Sequence, residues 1–496
     1  MFLMSNRPSQ QPLKEFSNHT RQANIESFKK KKFDVLVLGA GITGCGIALD
    51  AALRGLSVAL IDKGDFGGGT SSRSSKLIHG GLRYLEKKQF KLVMEAVRER
   101  DLLRKLAPHR VTPLAFLFPL YRHMRVGFLK MGAGMWLYDL LSLFRTPHMH
   151  KTYFSKALLK KEPLLNKKGL RGGFIFYDCF ADDTRLTLDV AKAAHEEGAH
   201  CANYVKLLGF KKEKNTIRKA VVQDCLSHDI FDISATHFIN ATGPWSDITR
   251  DTLNPQCHKR LRPTKGIHLF IKKNLLPVRY ATLMQAEDGR FVYLIPWYEH
   301  LIVGTTDTEF YGRPDDVHVT SEDISYLLKT TNEYFFPHKI TKRDIMSSYA
   351  GVRPLVKTDS KDESSIPREH EIFRDASNFI TIIGGKLTTY RKMAQEVVDL
   401  ISSSPSKTST RNFRQRLDQE NDIDYTVHYE MTQTLCDFIF RRTHLYLEAK
   451  NQDPSFMNPI AEKLKIQLDW SETRLQSELT HCRLQLTKLL AGGSPQ

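Results

Sequence analysis

The stretch from Phe33 to Asp62, FDVLVLGAGITGCGIALDAALRGLSVALID, constrains the fold of this chain more than any other part of the sequence. It begins with an apolar run of the kind that a parallel strand buried on both faces requires, and this run ends at a GxGxxG pattern. An amphipathic helix follows, and a second buried strand ends at Asp62. A strand, a glycine turn, a helix and a strand with an acidic end together predict a βαβ unit that binds a dinucleotide.

Each glycine of the pattern has its own expected role. Gly39 makes the tight turn, Gly41 lets backbone amides approach a pyrophosphate, and Gly44 lets the helix pack close to the strand. The amino end of the helix stabilises phosphate charge, and Asp62 is expected to accept a hydrogen bond from a ribose hydroxyl. A glycine-rich turn in an α/β domain without a ligand is the alternative interpretation, but the complete context favours the dinucleotide.

The chain beyond Asp62 favours a flavin dinucleotide over a nicotinamide dinucleotide. In NAD-dependent dehydrogenases regular βα units usually follow, whereas here a loop rich in glycine and serine comes next. Strand-and-glycine junctions recur in HFINATGPWSD (237–247) and FITIIGGKLTTYRKMAQEVVD (379–399). The last helix, expected from about Thr388, would turn its amides toward the N1/O2 edge of a reduced isoalloxazine. Each junction alone is compatible with an ordinary turn, but three of them could converge on one FAD.

Composition narrows the class of protein. A chain of 496 residues exceeds what one hydrophobic core usually supports, so two or three domains are expected. Lys and Arg number 73 against 55 Asp and Glu, a net charge of +18, which indicates an acidic partner such as nucleic acid, an anionic membrane surface or an anionic substrate. The seven cysteines include no CxxC pair, which argues against a disulfide framework or structural zinc and favours the cytoplasm. No signal peptide or spanning segment is predicted, so membrane contact would be peripheral.

With these residues in hand, the chain resembles the FAD-dependent, respiratory glycerol-3-phosphate dehydrogenases, flavoproteins of the glycine oxidase and D-amino-acid oxidase class. The resemblance covers roughly residues 24–445, and SSKLIHGGLRYLE separates this family from the amino-acid oxidases. The segments that carry it, in chain order, are residues 33–86, PLYRHMRVGFLKMGAGMWLYDLL, DDTRLTLDVAKAAHEEGA, NATGPWSD, LIPWYEHLIVGTTDT, YAGVRPL, GGKLTTYR and MTQTLCDFIFRRTHL. The tail beyond about residue 450 is less typical.

The resemblance implies an α/β fold: a Rossmann-like FAD-binding domain, an interleaved antiparallel-sheet substrate cap and a C-terminal helical domain. The cap sequence alternates apolar and polar residues as antiparallel strands do, and we expect a mixed sheet over the flavin. The expected divisions are an N-terminal arm (1–32), the FAD-binding domain (33–400) with cap segments at about 90–180 and 255–350, a linker (401–411) and the helical domain (412–496).

The implied activity is oxidation of sn-glycerol 3-phosphate to dihydroxyacetone phosphate, with hydride transfer from C2 to flavin N5 and electrons passed to a membrane quinone. One alternative is an oxidase that passes electrons to oxygen and releases peroxide. A D-amino-acid or glycine oxidase is more distant, and a non-catalytic flavoprotein or membrane-binding module is a rival from another class.

The resemblance also implies site residues. Arg83 and Arg353 are the candidates for the substrate phosphate, since a guanidinium makes paired bonds to phosphate oxygens. His79 is favoured as the proton acceptor because an imidazole titrates near neutral pH, and His268 is the alternative. Further candidates are Tyr84 and Thr389, to orient substrate oxygens, and Lys386, to place positive charge near reduced flavin or substrate.

The predicted cofactor-binding residues follow the three junctions and the serine-rich loop. No metal-ligand spacing competes with them. They are Gly39, Gly41, Ile42, Thr43, Gly44, Asp62, Lys63, Thr70, Ser71, Ser72, Lys76, Leu77, Gly80, Gly81, Ala241, Thr242, Gly243, Gly385, Lys386, Leu387 and Thr388.

A basic and apolar segment, 121–145, has two interpretations. It could lie in a lipid headgroup interface with its cations on anionic lipid, or it could be a buried helical hairpin. The net charge favours peripheral contact with the cytoplasmic membrane, and no nucleic-acid reader motif is present. A homodimer is compatible with the sequence.

Overall fold

The computed structural model describes residues 14–86, 89–122, 124, 127–143, 146–357, 370–411, 413, 421–448 and 453–490. Two β-sheets form its centre and helices cover them. The strands are β1 (Lys32–Leu38), β2 (Val58–Ile61), β3 (Leu77–Ile78), β4 (Val111–Tyr121), β5 (Lys151–Phe154), β6 (Leu170–Ala181), β7 (His200–Ala202), β8 (Val205–Glu213), β9 (Thr216–Asp224), β10 (Ile230–Asn240), β11 (Thr264–Lys272), β12 (Ala281–Gln285), β13 (Phe291–Trp297), β14 (His300–Gly304), β15 (Thr308–Glu309), β16 (Ile345–Arg353), β17 (His370–Ala376) and β18 (Phe379–Gly384). The helices are α1 (Asn18–Lys30), α2 (Ile42–Leu53), α3 (Arg83–Glu86), α4 (Phe90–Leu106), α5 (Phe128–Leu141), α6 (Ser155–Lys161), α7 (Asp183–Glu196), α8 (Ser246–Leu253), α9 (Ser321–Tyr334), α10 (Tyr390–Asp399), α11 (Ile423–Tyr429), α12 (Leu435–Asp437), α13 (Met457–Leu468) and α14 (Glu472–Leu490).

The first sheet carries the predicted βαβ unit. Its strand order is β17-β18-β10-β1-β2-β7, in which β18, β10, β1, β2 and β7 run parallel, and the hairpin β8–β9 continues from β10. Val35 and Val37 pack in the core formed with α2, α7 and α10, whereas Leu36 and Leu38 pack in the core that includes α1. The predicted strand that is buried on both faces is confirmed.

The carboxyl ends of four neighbouring strands meet at one edge of this sheet. Leu38 of β1 pairs with Asn240 of β10 and Ile61 of β2, and Asn240 pairs in turn with Thr381 of β18. Ligands of open parallel sheets bind in the crevice outside these ends. The three glycine junctions therefore leave the sheet side by side, although they are far apart in sequence.

The second sheet is built from segments inserted between strands of the first. Its ten strands include the path β15-β11-β14-β13-β12-β4-β6-β3, with β16 paired to β11 and β5 to β6. The pairs are antiparallel except for β4 with β12. One face packs on α9, and the other packs on α5 and the C-terminal helices α12, α13 and α14. The predicted α/β fold with an interleaved, mixed sheet and C-terminal helices is confirmed.

Buried ion pairs join the C-terminal segment to the first sheet and its helices. Arg442 Nη1 lies 2.7 Å from Asp65 Oδ2, and Arg185 Nη2 lies 2.6 Å from Glu430 Oε1. Removal of one partner of such a pair leaves a buried, uncompensated charge that costs about 3–5 kcal/mol. The segment predicted as a linker also contacts the end of α2, because Arg54, the residue after this helix, donates to the carbonyl oxygen of Ser404 at 2.7 Å.

Candidate cofactor groove and active site

A groove of about 780 Å³ lies along the carboxyl edge of the first sheet. All three glycine junctions and the serine-rich loop contribute to it, so the predicted convergence is present in the structure. The predicted cofactor residues that line it are Gly39, Gly41, Ile42, Thr43, Asp62, Lys63, Thr70, Ser71, Ala241, Thr242, Gly243, Gly385, Lys386 and Leu387.

Glycine permits the close backbone contacts beside this groove. Gly39 has a φ of +100°, and a Cβ atom there would lie 2.7 Å from the carbonyl oxygen of Ala241. A Cβ atom at Gly44 would overlap the carbonyl oxygen of Gly39. The amino end of α2 therefore rests directly on the end of β1, where the first amides and the positive end of the helix dipole suit a pyrophosphate.

Asp62 directly follows β2, and backbone amides hold its carboxylate. It accepts hydrogen bonds from the amides of Ala40 at 2.6 Å and Gly64 at 2.9 Å. Burial raises the pKa of Asp62 above its ordinary value, and these two hydrogen bonds oppose the rise. Nearby, Ser71 Oγ accepts a hydrogen bond from the amide of Ile42 at 2.9 Å, which ties the serine loop to α2.

The residues present fit a flavin dinucleotide. The amino end of α2 suits the pyrophosphate, and the fixed carboxylate of Asp62 suits a ribose hydroxyl. The third junction adds a sharp turn, since Gly384 and Gly385 have φ values of +79° and +84°. A single groove with these three parts has the polar groups that the two ends and the middle of FAD require.

The third junction also contacts residues of the predicted active site. Lys386 Nζ lies 3.6 Å from the centroid of the Tyr84 ring, a cation–π contact. Thr388 Oγ1 accepts a hydrogen bond from the amide of His79 at 3.1 Å. The structure therefore brings four predicted residues together from two distant parts of the sequence.

His79 borders a smaller, mostly apolar cavity of about 150 Å³. Phe176 and Tyr293 of the second sheet contribute to its lining, as do Met131 and Leu137 of α5. The cavity therefore extends from His79 to the helix that forms most of the segment predicted to contact a membrane.

Arg353 lies at the end of β16, as the proline after it predicted. It donates hydrogen bonds to Asp307 Oδ1 at 3.1 Å, to Thr305 Oγ1 at 2.8 Å and to the carbonyl oxygen of Thr306 at 3.0 Å. Its guanidinium packs against Gly266, where a Cβ atom would overlap it. These contacts hold the planar group in one orientation.

His268 lies on β11 and is buried. Its Nε2 is 2.8 Å from Ser75 Oγ. Burial, followed by the positive charges of Arg353 and Lys76, holds the pKa of His268 well below its ordinary value. The imidazole is therefore neutral at neutral pH.

The side chain of Lys76 serves the fold and not the groove. It is fully buried, with Nζ 2.5 Å from Asp183 Oδ1 and 5.2 Å from the centroid of the Trp297 ring. Lys76 is not one of the described residues that line the groove. Its predicted contact with the cofactor would have to come from its main chain.

Leu77, Ser72 and Thr389, which were also predicted, are not among the residues that line the groove. Leu77 lines the small apolar cavity, and Ser72 lines another cavity next to the C-terminal helices. Thr389 is buried at the start of α10. The side chain of Arg83 lies outside the part of the chain that the structure describes.

Several residues that line the groove were not predicted from the sequence, among them Arg73, Trp245 and Asp315. Lys63 Nζ lies 2.7 Å from Asp315 Oδ1 and 4.3 Å from the centroid of the Trp245 ring, and Trp245 Nε1 donates to Asp315 Oδ2 at 2.9 Å. Trp245 stands in NATGPWSD and Arg73 in the serine-rich loop, so both had a usable signal. Asp315 belongs to no motif.

Comparison with known proteins identifies the family. The family model described as FAD dependent oxidoreductase matches residues 34–390, and the model described as the C-terminal domain of alpha-glycerophosphate oxidase matches residues 384–475. The aerobic glycerol-3-phosphate dehydrogenase of Bacillus subtilis is 40% identical over 412 residues, which cover 83% of this chain and 72% of that protein.

Solved structures agree. The glycerol-3-phosphate dehydrogenase from Bacillus halodurans complexed with FAD matches with a TM-score of 0.81 and 28% identity, over 97% of this chain and 99% of that chain. Glycine oxidase from Geobacillus kaustophilus shares the fold, with a TM-score of 0.56 and 17% identity over 78% of this chain and 99% of that chain. The chain therefore belongs to the FAD-dependent oxidoreductases and, within them, to the family of aerobic glycerol-3-phosphate dehydrogenases.

Proposed function

We propose that this protein oxidises sn-glycerol 3-phosphate to dihydroxyacetone phosphate with FAD as its cofactor. The third glycine junction carries the proposal, because one turn lines the cofactor groove and contacts Tyr84 through Lys386 and His79 through Thr388. Residues for the cofactor and for the substrate thus share a turn. When bound, the flavin supplies the acceptor for the hydride of substrate C2.

Arg353 is proposed to bind the substrate phosphate. Its bonds to Asp307, Thr305 and Thr306 fix the plane of the guanidinium before substrate arrives, and a fixed planar fork makes paired, charge-assisted bonds to phosphate oxygens. Arg83 is proposed as the second phosphate ligand on the family resemblance alone. Tyr84 and Thr389 are proposed to orient substrate oxygens.

His79 is proposed to accept the proton of the C2 hydroxyl. Its main-chain amide is bonded to Thr388 of the turn, and the residue lines the small cavity; we expect its imidazole to face a substrate bound next to the flavin. His268 is the weaker candidate, because Ser75 already occupies its Nε2 and burial lowers its basicity.

A membrane quinone is proposed as the electron acceptor. Lys130, Gly134 and Leu137 of α5 line part of the mostly apolar cavity beside His79, and an apolar lining suits a quinone ring. Oxygen is the alternative acceptor, and its reduction would release peroxide.

Helix α5 is proposed to bind an anionic membrane surface. Its inner side buries Met131 and Met135, so one face of this helix packs on the protein. The outer side leaves Leu129 89%, Trp136 58% and Leu140 55% exposed, a combination that suits a headgroup interface. In the part of the chain that the structure describes, no helix has the length and hydropathy to cross a bilayer.

The activity is tested by adding glycerol 3-phosphate to the purified protein without oxygen. We expect the visible flavin band to bleach, whereas glycine and D-amino acids leave it unchanged. The visible flavin band should then return when a soluble quinone is added, still in the absence of oxygen. A flavin band that glycerol 3-phosphate does not bleach would remove the substrate assignment, and rapid peroxide formation in air would favour the oxidase.

Membrane contact is tested by sedimentation with vesicles that contain anionic lipid. The double variant Trp136→Glu, Leu140→Glu is expected to stay in the supernatant and to keep its bleaching by glycerol 3-phosphate. Ile466→Glu is the matched control, since Ile466 is 80% exposed on the C-terminal helices. Equal sedimentation of the double variant and the wild type would contradict the proposal.

A further inference from the structure

Three donors converge on one carboxylate oxygen directly behind the turn that follows His79. Asp178 of β6 is buried, and its Oδ1 accepts hydrogen bonds from Arg100 Nη1 at 2.6 Å, from the Tyr138 hydroxyl at 2.8 Å and from the amide of Gly80 at 3.0 Å. Arg100 comes from α4 and Tyr138 from α5. No role was predicted from the sequence for any of these three side chains.

The turn rests on this network without intervening side chains. A Cβ atom at Gly80 would overlap the Tyr138 hydroxyl and lie 2.5 Å from Val97 Cγ2. Gly81 has a φ of +75°, and a Cβ atom there would overlap the Tyr84 ring. A shift of the carboxylate therefore moves the backbone that carries His79.

We propose that Asp178 is a positioning residue for the active site, which holds the His79–Gly81 turn through the amide of Gly80. The inference rests on the proposed function, since it assigns the turn a part in substrate oxidation. Arg100 and Tyr138 fix the carboxylate in turn. Groups that react must be held within about 0.5 Å of their productive position, and one charged oxygen shared by three elements supplies that rigidity.

The charge of Asp178 is essential to this arrangement. An ionised carboxylate is only an acceptor, so it orients all three donors without ambiguity. An amide at this position would present an NH₂ group to the same donors in one of its two orientations, and it would leave the buried guanidinium of Arg100 with Asp101 as its remaining carboxylate partner among the described residues.

Asp178→Asn and Tyr138→Phe test the proposal in the full-length protein with FAD bound. Tyr138→Phe removes one donor and keeps the charge. Asp189→Asn is the matched control. Asp189 lies on α7, is equally buried, and pairs with Arg110 at 2.8 Å and His109 at 3.0 Å. Each variant is mixed with glycerol 3-phosphate without oxygen, and the limiting rate of flavin bleaching and the half-saturating concentration are measured separately.

We expect the limiting rate to fall about tenfold or more in Asp178→Asn and about two- to fivefold in Tyr138→Phe, with half-saturation changed less than about twofold and FAD retained. Asp189→Asn should keep the wild-type rate. If Asp178→Asn does not fold, Tyr138→Phe decides.

Wild-type limiting rates in the folded variants would overturn the inference, and so would an equal loss in Asp189→Asn, which would indicate a general effect of a lost core charge. A wild-type protein that glycerol 3-phosphate does not bleach would instead be the failure of the proposed function, and the positioning role would fall with it.

Discussion

The cofactor groove depends mainly on the backbone, whereas the region around His79, Tyr84 and Lys386 depends mainly on side chains. Backbone forms the groove: the turn at Gly39, the amino end of α2, and amides that hold Asp62. Side chains form the active-site end, through pairs such as Lys386 with Tyr84. Where backbone segments are in contact, an added side-chain atom disrupts the fold. Where side chains form the site, the loss of one side chain leaves the fold intact and changes the rate of reaction or the affinity for substrate. The following predictions test this difference.

Gly44→Ala should have the largest effect. The new methyl group overlaps the carbonyl oxygen of Gly39, and since neither backbone segment can move away, overpacking should lower the free energy of unfolding by about 3 kcal/mol or more. We expect little bound FAD, measured by the ratio of visible to protein absorbance. Gly209→Ala is the matched control because its Cβ atom would meet open space. Normal FAD content in Gly44→Ala would show that the groove is more adaptable than described.

His79→Ala should keep FAD and lose speed. Loss of a general base typically lowers the rate by about 10²–10⁴-fold, so we expect anaerobic bleaching to slow by that factor while half-saturation changes little. Stopped-flow absorbance measures both quantities. His268→Ala is the comparison, and a larger loss of rate in that variant would transfer the role of base to His268.

Arg353→Ala should weaken substrate binding. Hydrogen bonds to charged groups contribute about 1.5–3 kcal/mol, so the half-saturating concentration of glycerol 3-phosphate should rise about 10- to 100-fold with FAD still bound. Arg262→Ala is the control. Arg262 is also an arginine paired with a carboxylate, because its Nε lies 2.7 Å from Glu309 Oε1. Equal affinities in wild type and Arg353→Ala would place the phosphate elsewhere.

His268 should give the smallest effect, a change in how stability depends on pH. The native imidazole has a lowered pKa, so below about pH 6.5 the unfolded chain binds a proton that the folded chain does not. Stability should therefore fall by up to about 1.4 kcal/mol per pH unit from pH 6.5 down to the native pKa, and His268→Gln should remove this contribution. Thermal unfolding of both proteins at pH 7.5 and 5.5 measures it. Parallel changes in the two proteins would contradict the assignment.

The same difference explains what the sequence could predict. The βαβ unit and the three junctions were predictable because strand, turn and helix are neighbours in the chain and glycine is needed at fixed spacing. The partners of individual side chains could not be predicted. Lys76 pairs with Asp183, and Asp315 pairs with Lys63, through packing that no local pattern encodes. The resemblance supplied His79 and Lys386 as candidates, but only the folded chain shows that the turn containing Lys386 also bonds the main chain of His79.

The interleaved order of the strands affects when the newly synthesised chain can bind FAD. Strand β1 lies between β2 and β10, with β18 beyond, and Arg441 and Gln485 also line the groove. The ribosome therefore releases the first glycine turn long before the groove can close around it. Tight capture of FAD has to wait until these later segments have been translated, and a chain interrupted before them carries an unpaired parallel edge that promotes aggregation or degradation.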